Sequence, residues 1–242
     1  MPTNKLTPDI PYPIEYNAIL MHKPMVKDCF EDLSNRLYLS DNKTPNTIDI
    51  KDSNWDLRIV GEYSAWLWLS KNIRNCDRAT LHHYRRRLPS SMAEIVLPMP
   101  IKLGGSLIEH LAFYHSPKIA EAFAKTLGPE EMKIANGNEL CCWNIFKAPQ
   151  PVIAQWCEWC GNKLKFLASE LGITIDYETI KNFVQNGDSG LLDKHDGKNS
   201  DLTYQMRFLG CCLERYNHIF WHGVPYNREY REVRLLEKNQ LI

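Results

Sequence analysis

Ala79-Thr80-Leu81-His82-His83-Tyr84-Arg85-Arg86-Arg87-Leu88-Pro89 is the segment on which the architecture turns. Its first half is a short strand-forming run, Pro89 stops it, and the arginines fall at its carboxyl end. Ligands of α/β sheets bind at the carboxyl ends of the strands, so this segment predicts a receiver for an anionic group. Guanidinium forks bind phosphate oxygens in pairs and supply the charge neutralisation that a divalent cation supplies elsewhere. A diphosphate is the natural fit. A solvated basic turn or a nucleic-acid patch is the competing reading of the same charge.

Upstream, Tyr16-Asn17-Ala18-Ile19-Leu20-Met21 is an apolar run that ends in His22-Lys23-Pro24, the form of a buried first strand entering a loop. His22 and Lys23 thus fall at a second carboxyl edge. A helix is expected through Phe30, Leu33 and Leu37, and the polar stretch 41–54, with Pro45, reads as a long loop. Between Leu57 and Ile73, Ile59, Tyr63, Trp66 and Ile73 recur at helical spacing and predict an amphipathic, aromatic helix. That helix carries Glu62 and ends in Lys71 and Asn72.

Downstream, Glu94-Ile95-Val96-Leu97 reads as a strand, followed by helices over 107–114 and 117–127. Residues 140–146 form the next strand candidate. A long helix from Pro149 or Pro151 to Leu171 is ended by Gly172, and Asp176 to Gln185 is a further helix candidate. In the last strong helix, 203–221, Leu209, Leu213, Tyr216 and Phe220 mark one face and Arg207, Cys211, Glu214 and His218 the opposite one. Residues 1–15, with four prolines, read as an extended arm before a single domain over 16–242, and 186–201 as a mobile loop. Strands alternating with helices predict an α/β layer fold with a mostly parallel sheet.

The composition narrows the function. The 242 residues carry 29 Lys+Arg against 29 Asp+Glu and are 44% hydrophobic, which excludes a disordered chain and argues against a dedicated nucleic-acid coat. The longest apolar run, Ala65 to Leu69, is far below the ~18 residues of a membrane span. The start, Met1-Pro2-Thr3-Asn4-Lys5, lacks the apolar core of a signal peptide, so a cytoplasmic protein without integral membrane association is expected. Cys157-x-x-Cys160 lies in an apolar stretch with helical period and reads as packing rather than as zinc ligands. Asp49-Ile50-Lys51-Asp52 is one residue longer than the Asp-x-Asp clamp of sugar-nucleotide transferases, and no metal is assigned to it. Gly-x-Gly-x-x-Gly, Walker-type and Gly-x-Ser-x-Gly motifs are all absent, and no cofactor is expected. Glu62 is a carboxylate placed to hold an arginine or a ribose hydroxyl, or is simply solvated; Trp66 and Trp68 are core or a base-stacking platform.

Several segments are similar, in order, to the motifs of one family. His22-Lys23-Pro24 resembles its "HKP" step, and 48–54 with Glu62 to Asn72 its "NIS..N..Y.ELTALYWIWKN" block. His83-Tyr84-Arg85-Arg86 matches its hallmark "HYRR", and Glu94 to Pro98 resembles its "DIILP" strand. Asn144-Ile145-Phe146 with Trp156-Cys157-Glu158-Trp159 is similar to "NMFI....YCEWLF", and Tyr204 to Arg215 to "QKRVFGFLAERL". The family is a domain first labelled as of unknown function, found in capsular-polysaccharide and O-antigen gene clusters and regarded as GT-A-like glycosyltransferases; some members transfer galactofuranose.

The resemblance implies a Rossmann-type three-layer α/β sandwich that moves a sugar from a nucleoside diphosphate to a hydroxyl group, without a metal. A UDP-sugar is favoured, a pentose or furanose among the candidates. His22, Lys23, Glu62, Trp66, Lys71, Asn72, His83, Tyr84, Arg85 and Arg86 are expected to bind the donor, and Asn144, Gln205 and Arg207 the acceptor. Glu214 is the first candidate for the base, with an ion pair to Arg207 or Arg215 as its structural alternative; Glu62 and the Asp52/Asp56 loop come next. Arg87, His82 and the 186–201 loop depart from the family pattern and bear on the acceptor, a carbohydrate or a hydroxymethylated base in DNA. A nucleic-acid-binding module without catalysis is the rival from another class.

Overall fold

Two parallel pairings made by one short strand set the centre of the molecule. In the computed structural model, which describes residues 15–21, 30, 32–40, 47–50, 55–73, 76–83, 85–189 and 201–236, that strand is β1 (Glu15–Leu20). It pairs in parallel with β2 (Arg36–Ser40) on one side and β4 (Arg78–His83) on the other. Ala18, Ile19 and Leu20 are wholly buried, as a strand covered on both faces requires. β3 (Ile48–Asp49) continues the parallel run beyond β2. On the other flank β9 (Lys147–Pro149) lies antiparallel between β4 and β6 (Val96–Pro98), and β10 (Glu229–Arg231) pairs in parallel outside β6.

The order β3-β2-β1-β4-β9-β6-β10 is the expected α/β arrangement with a mostly parallel central sheet. Chain order reverses at β1, and the crevice at the carboxyl ends of β1 and β4 is where such sheets bind ligands. β5 (Arg86–Arg87) folds back on β4 and pairs with β11 (Arg234–Leu235), while β7 (Ile101–Lys102) and β8 (Glu139–Leu140) form a separate antiparallel pair.

The described helices are α1 (Leu57–Val60), α2 (Tyr63–Asn72), α3 (Leu107–Tyr114), α4 (Pro117–Lys125), α5 (Pro129–Ala135), α6 (Gln150–Leu171), α7 (Tyr177–Gln185), α8 (Leu202–Gln205) and α9 (Phe208–Gly223). α2, α4 and α9 pack on α6, which Gly172 ends in the left-handed conformation that glycine adopts most readily. Ser106 and Glu109 close a capping box on α3. Ala18, Leu20, Leu39, Ala79 and Leu81 share one face of the sheet with the aromatic core of the helices. There Trp66 stacks on Phe146 with ring centres 3.9 Å apart. Ile19 points to the other face, with Met21, Phe30 and Leu236. Cys157 and Cys160 are buried in α6, where the carbonyl of Cys157 accepts the Tyr63 hydroxyl at 2.6 Å. Among the described residues no helix is long and apolar enough to cross a membrane.

Several expected elements are shorter or different. Leu37 lies in β2, not in a helix with Phe30 and Leu33: Asn35 turns the chain at φ 45, Asn17 N–H donates to its carbonyl, and Leu39 gains burial by pairing with Leu20. The aromatic helix breaks into α1 and α2 at Gly61, φ 56, and the last helix into α8 and α9 at Met206-Arg207. The strand expected over 140–146 shrinks to its flanks, because Trp143 and Asn144 stand at φ 72 and 33, values closed to an extended strand. β3 interrupts the loop expected over 41–54; α5, β10 and β11 were not anticipated. The arm up to residue 14, and 190–200 of the loop expected over 186–201, lie outside the described residues.

Candidate active site

β4 ends at His83, whose Nδ1 accepts the Arg85 backbone N–H at 3.2 Å, so that the chain reverses and Arg86 pairs with His83. This hairpin separates the three arginines. Arg85 and Arg86 line a cavity of about 440 Å³, whereas Arg87 forms a two-pronged pair with Asp32 at 2.7 and 2.5 Å. Because side chains alternate along a strand, His82 faces away from His83. His82 Nδ1 accepts the Leu88 N–H, which leaves Nε2–H to donate to Asn17 Oδ1 at 3.3 Å. Burial pushes its pKa down to about 3, so it is a neutral clamp on the hairpin.

Helix amino ends form the facing wall. Gly61 and Glu62 stand just before α2, and Arg207, Gly210, Cys211 and Glu214 occupy the start of α9. Their spacing places them on one face of α9, while Leu209, Leu213, Tyr216 and Phe220 enter the core. Gly210 lets α9 approach α1: a Cβ there would meet the Ile59 carbonyl oxygen at 3.3 Å.

The Trp143-Asn144 turn makes the third wall. Trp143 N–H donates to Glu214 Oε1 at 3.0 Å, and the Arg86 guanidinium lies 4.9 Å from the Trp143 ring centre. Trp66 Nε1–H donates to the Asn144 carbonyl at 2.7 Å. Asn144 is 1% exposed. Its Oδ1 and the Arg86 Nε are both buried without a hydrogen-bond partner among the described residues.

Two carboxyl groups face this cationic cleft. Burial pushes the Glu62 pKa up, its own backbone N–H opposes this, and the charge of Glu214 raises it further against Arg207 and Arg86. Burial likewise raises Glu214, opposed by Arg215, the Trp143 N–H, Arg207 and Arg86. Arg215 itself is committed to the carbonyls of Leu107 and Cys211 and to His110 Nδ1. Carboxyl groups that keep their affinity for protons are the kind that serve as acids and bases near neutral pH.

The sign of one consequence is fixed. With a folded pKa above the unfolded value, ionising Glu62 destabilises the fold, and the penalty grows as pH rises above the unfolded carboxyl value near ~4.3. Glu62→Gln is therefore expected to raise Tm at pH 8, by about 2–4 °C per kcal/mol recovered, with the gain closing toward pH 4. A Tm at pH 8 equal to or below wild type would show that the arginines compensate the carboxylate in full.

Of the expected site residues, Glu62, His83, Arg85, Arg86, Asn144, Arg207 and Glu214 come together around the cavity. Trp66 does not: it is wholly buried against Phe146 and is core, not a base-stacking platform. Lys71 and Asn72 sit at the far end of α2, about 15 Å along its axis from Glu62 at 1.5 Å per residue. Gln205 is buried, with Oε1 3.3 Å from His115 Nδ1. His22, Lys23, Tyr84 and Asp52 lie outside the described residues, and Asp56 pairs with Arg58. Arg58, Trp143 and Tyr204 also line the cavity and were not anticipated there. Arg58 stands four residues before Glu62, a spacing that signals a shared face; Trp143 contributes a backbone N–H, which no residue type announces. Among the described residues no three His, Cys, Asp or Glu side chains form a metal-binding group.

Comparison with known proteins adds one likeness. Over 92% of its length the chain matches an apo structure of WbbM, a bifunctional glycosyltransferase, with a TM-score of 0.64 at 15% sequence identity. It shares a fold with a glycosyltransferase. The chain spans 45% of that larger protein. No protein-family profile and no curated protein matches the sequence.

Proposed function

We propose that this protein is a glycosyltransferase that takes a sugar from a nucleoside diphosphate and passes it to a hydroxyl group. The observation that carries the reading is one cavity at the carboxyl end of β4 where Arg85 and Arg86 face Arg207 and two carboxyl groups whose pKa burial raises. The fold shared with WbbM and the resemblance to the HYRR-motif family support the same reading.

Transfer breaks the bond from the anomeric carbon to the diphosphate oxygen, and the leaving group gathers negative charge. Arg85, Arg86 and Arg207 lie where they would receive it, and the amino ends of α2 and α9 add their partial positive charge. These cations can do the work of a divalent ion, so transfer is proposed to be metal-independent. Glu214 takes the acceptor's proton as the oxygen attacks; the Trp143 N–H orients its carboxylate, and burial makes it a stronger base.

The test is thermal. In a chelator, UDP or a UDP-sugar is expected to raise Tm in proportion to its saturation of the site. A gain that appears only with added magnesium would overturn metal independence. No gain from any nucleoside diphosphate, together with a steep salt-dependent affinity for oligonucleotides, would sink the transferase reading in favour of a binding module.

A further inference from the structure

We propose that the side-chain oxygen of Asn144 accepts a hydrogen bond from a hydroxyl of the transferred sugar, so that Asn144 selects the donor sugar. The proposal rests on the glycosyltransferase reading above and gives the same cavity a finer role.

Asn144 Oδ1 is a buried acceptor with no partner among the described residues, and such groups are destabilising unless something satisfies them. What would satisfy it is a donor. A diphosphate has only acceptor oxygens at neutral pH, whereas every sugar hydroxyl carries a proton to donate. The complementary orphan is Arg86 Nε, a buried N–H with no acceptor among the described residues. Two residues that line the cavity therefore carry an unmet donor and an unmet acceptor, which suits a ligand carrying phosphate and hydroxyl groups side by side.

Position gives the second argument. Trp143 touches Arg86 through its ring and Glu214 through its N–H. The transferred sugar must lie between those two groups, because its anomeric carbon carries the breaking bond to the diphosphate and the forming bond to the oxygen that Glu214 deprotonates. Asn144, next in the chain, stands at that junction. It is also held there. Trp143 and Asn144 keep left-handed φ angles of 72 and 33, and Trp66 Nε1 fixes the Asn144 carbonyl. Two non-glycine residues in that region persist only when their surroundings over-determine them, so the backbone does not relax to find Oδ1 another partner.

The experiment is calorimetric titration of wild type, Asn144→Gly and Asn144→Asp with UDP, UDP-glucose and UDP-galactose in a chelator. Glycine removes the amide and suits φ 33, which keeps the turn; aspartate keeps an acceptor at the same place. Wild type is expected to bind one UDP-sugar more tightly than UDP. Asn144→Gly should bind UDP within about twofold of wild type but lose about tenfold or more for the preferred UDP-sugar, and Asn144→Asp should recover part of that loss. Wild-type affinity of Asn144→Gly for every UDP-sugar overturns the proposal, and so do equal losses for UDP and its sugars, which would mean a general effect on pocket shape. If wild type itself binds neither UDP nor a UDP-sugar, the donor reading fails and this proposal with it.

Discussion

Glu214→Gln is expected to lower turnover by about 10²–10⁴-fold while UDP affinity stays within about twofold of wild type. The substitution is conservative where it matters for structure. The Gln side-chain oxygen can still accept the Trp143 N–H that Glu214 Oε1 now takes at 3.0 Å, so the rotamer and the turn are kept. What disappears is the group proposed to receive the acceptor's proton. The pH profile gives a second readout. Burial raises the Glu214 pKa above the ordinary carboxylate range, so wild-type kcat/KM should rise with pH as this group ionises. That acid limb should be lost in the variant. Full turnover in Glu214→Gln would move the base elsewhere, with Glu62 on the facing wall first in line.

The second large effect is expected at Arg86. Arg86→Ala should lower kcat/KM by about 10²–10³-fold, the scale on which removal of one pre-positioned charge partner of a transition state is felt. Two things are lost together: the guanidinium proposed to receive the diphosphate, and a cation that opposes proton uptake by both Glu62 and Glu214. The acid limb of the pH profile should therefore move to higher pH. Arg86→Lys should recover only part of the loss, because an ammonium cannot offer two parallel N–H groups to one phosphate. Arg87→Ala is the control. Its side chain is turned to Asp32, whose carboxylate is 67% exposed, so the variant should lose little stability and keep kcat/KM. Equal losses at Arg86 and Arg87 would show a diffuse electrostatic effect rather than a site.

The contrast between those two arginines shows what the sequence could and could not reveal. The strand-end argument places the basic cluster at the mouth of the sheet from residue types alone, and the helical spacing of Arg207, Cys211 and Glu214 places a carboxylate on the same face. Both rest on local periodicity. Which arginine points inward depends on the reversal between His83 and Arg86, and the reversed segment pairs with β11, a contact no local pattern encodes. Trp66 was misplaced for a related reason. An aromatic residue on an amphipathic helix is equally suited to core and to stacking, and only the arrival of Phe146 from another element decides it. Trp143 and Asn144 sit in what reads as an apolar strand, since their left-handed backbone is imposed by tertiary contacts to Glu214, Arg86 and Trp66 rather than by glycine.

The antiparallel strand β9 has a wider consequence. Among neighbours that all bring their ends to the site, a reversed strand brings its beginning. Its register, Arg78 opposite Pro149 and Thr80 opposite Lys147, continues through the bond from Leu81 N–H to the Phe146 carbonyl, two residues after Asn144. The Trp143-Asn144 wall, which contacts Glu214, is thereby tied to the central sheet. The excursion between β6 and β9 is packed into the same frame, with α4 on α6 and α5 on α9, the helix that carries Glu214.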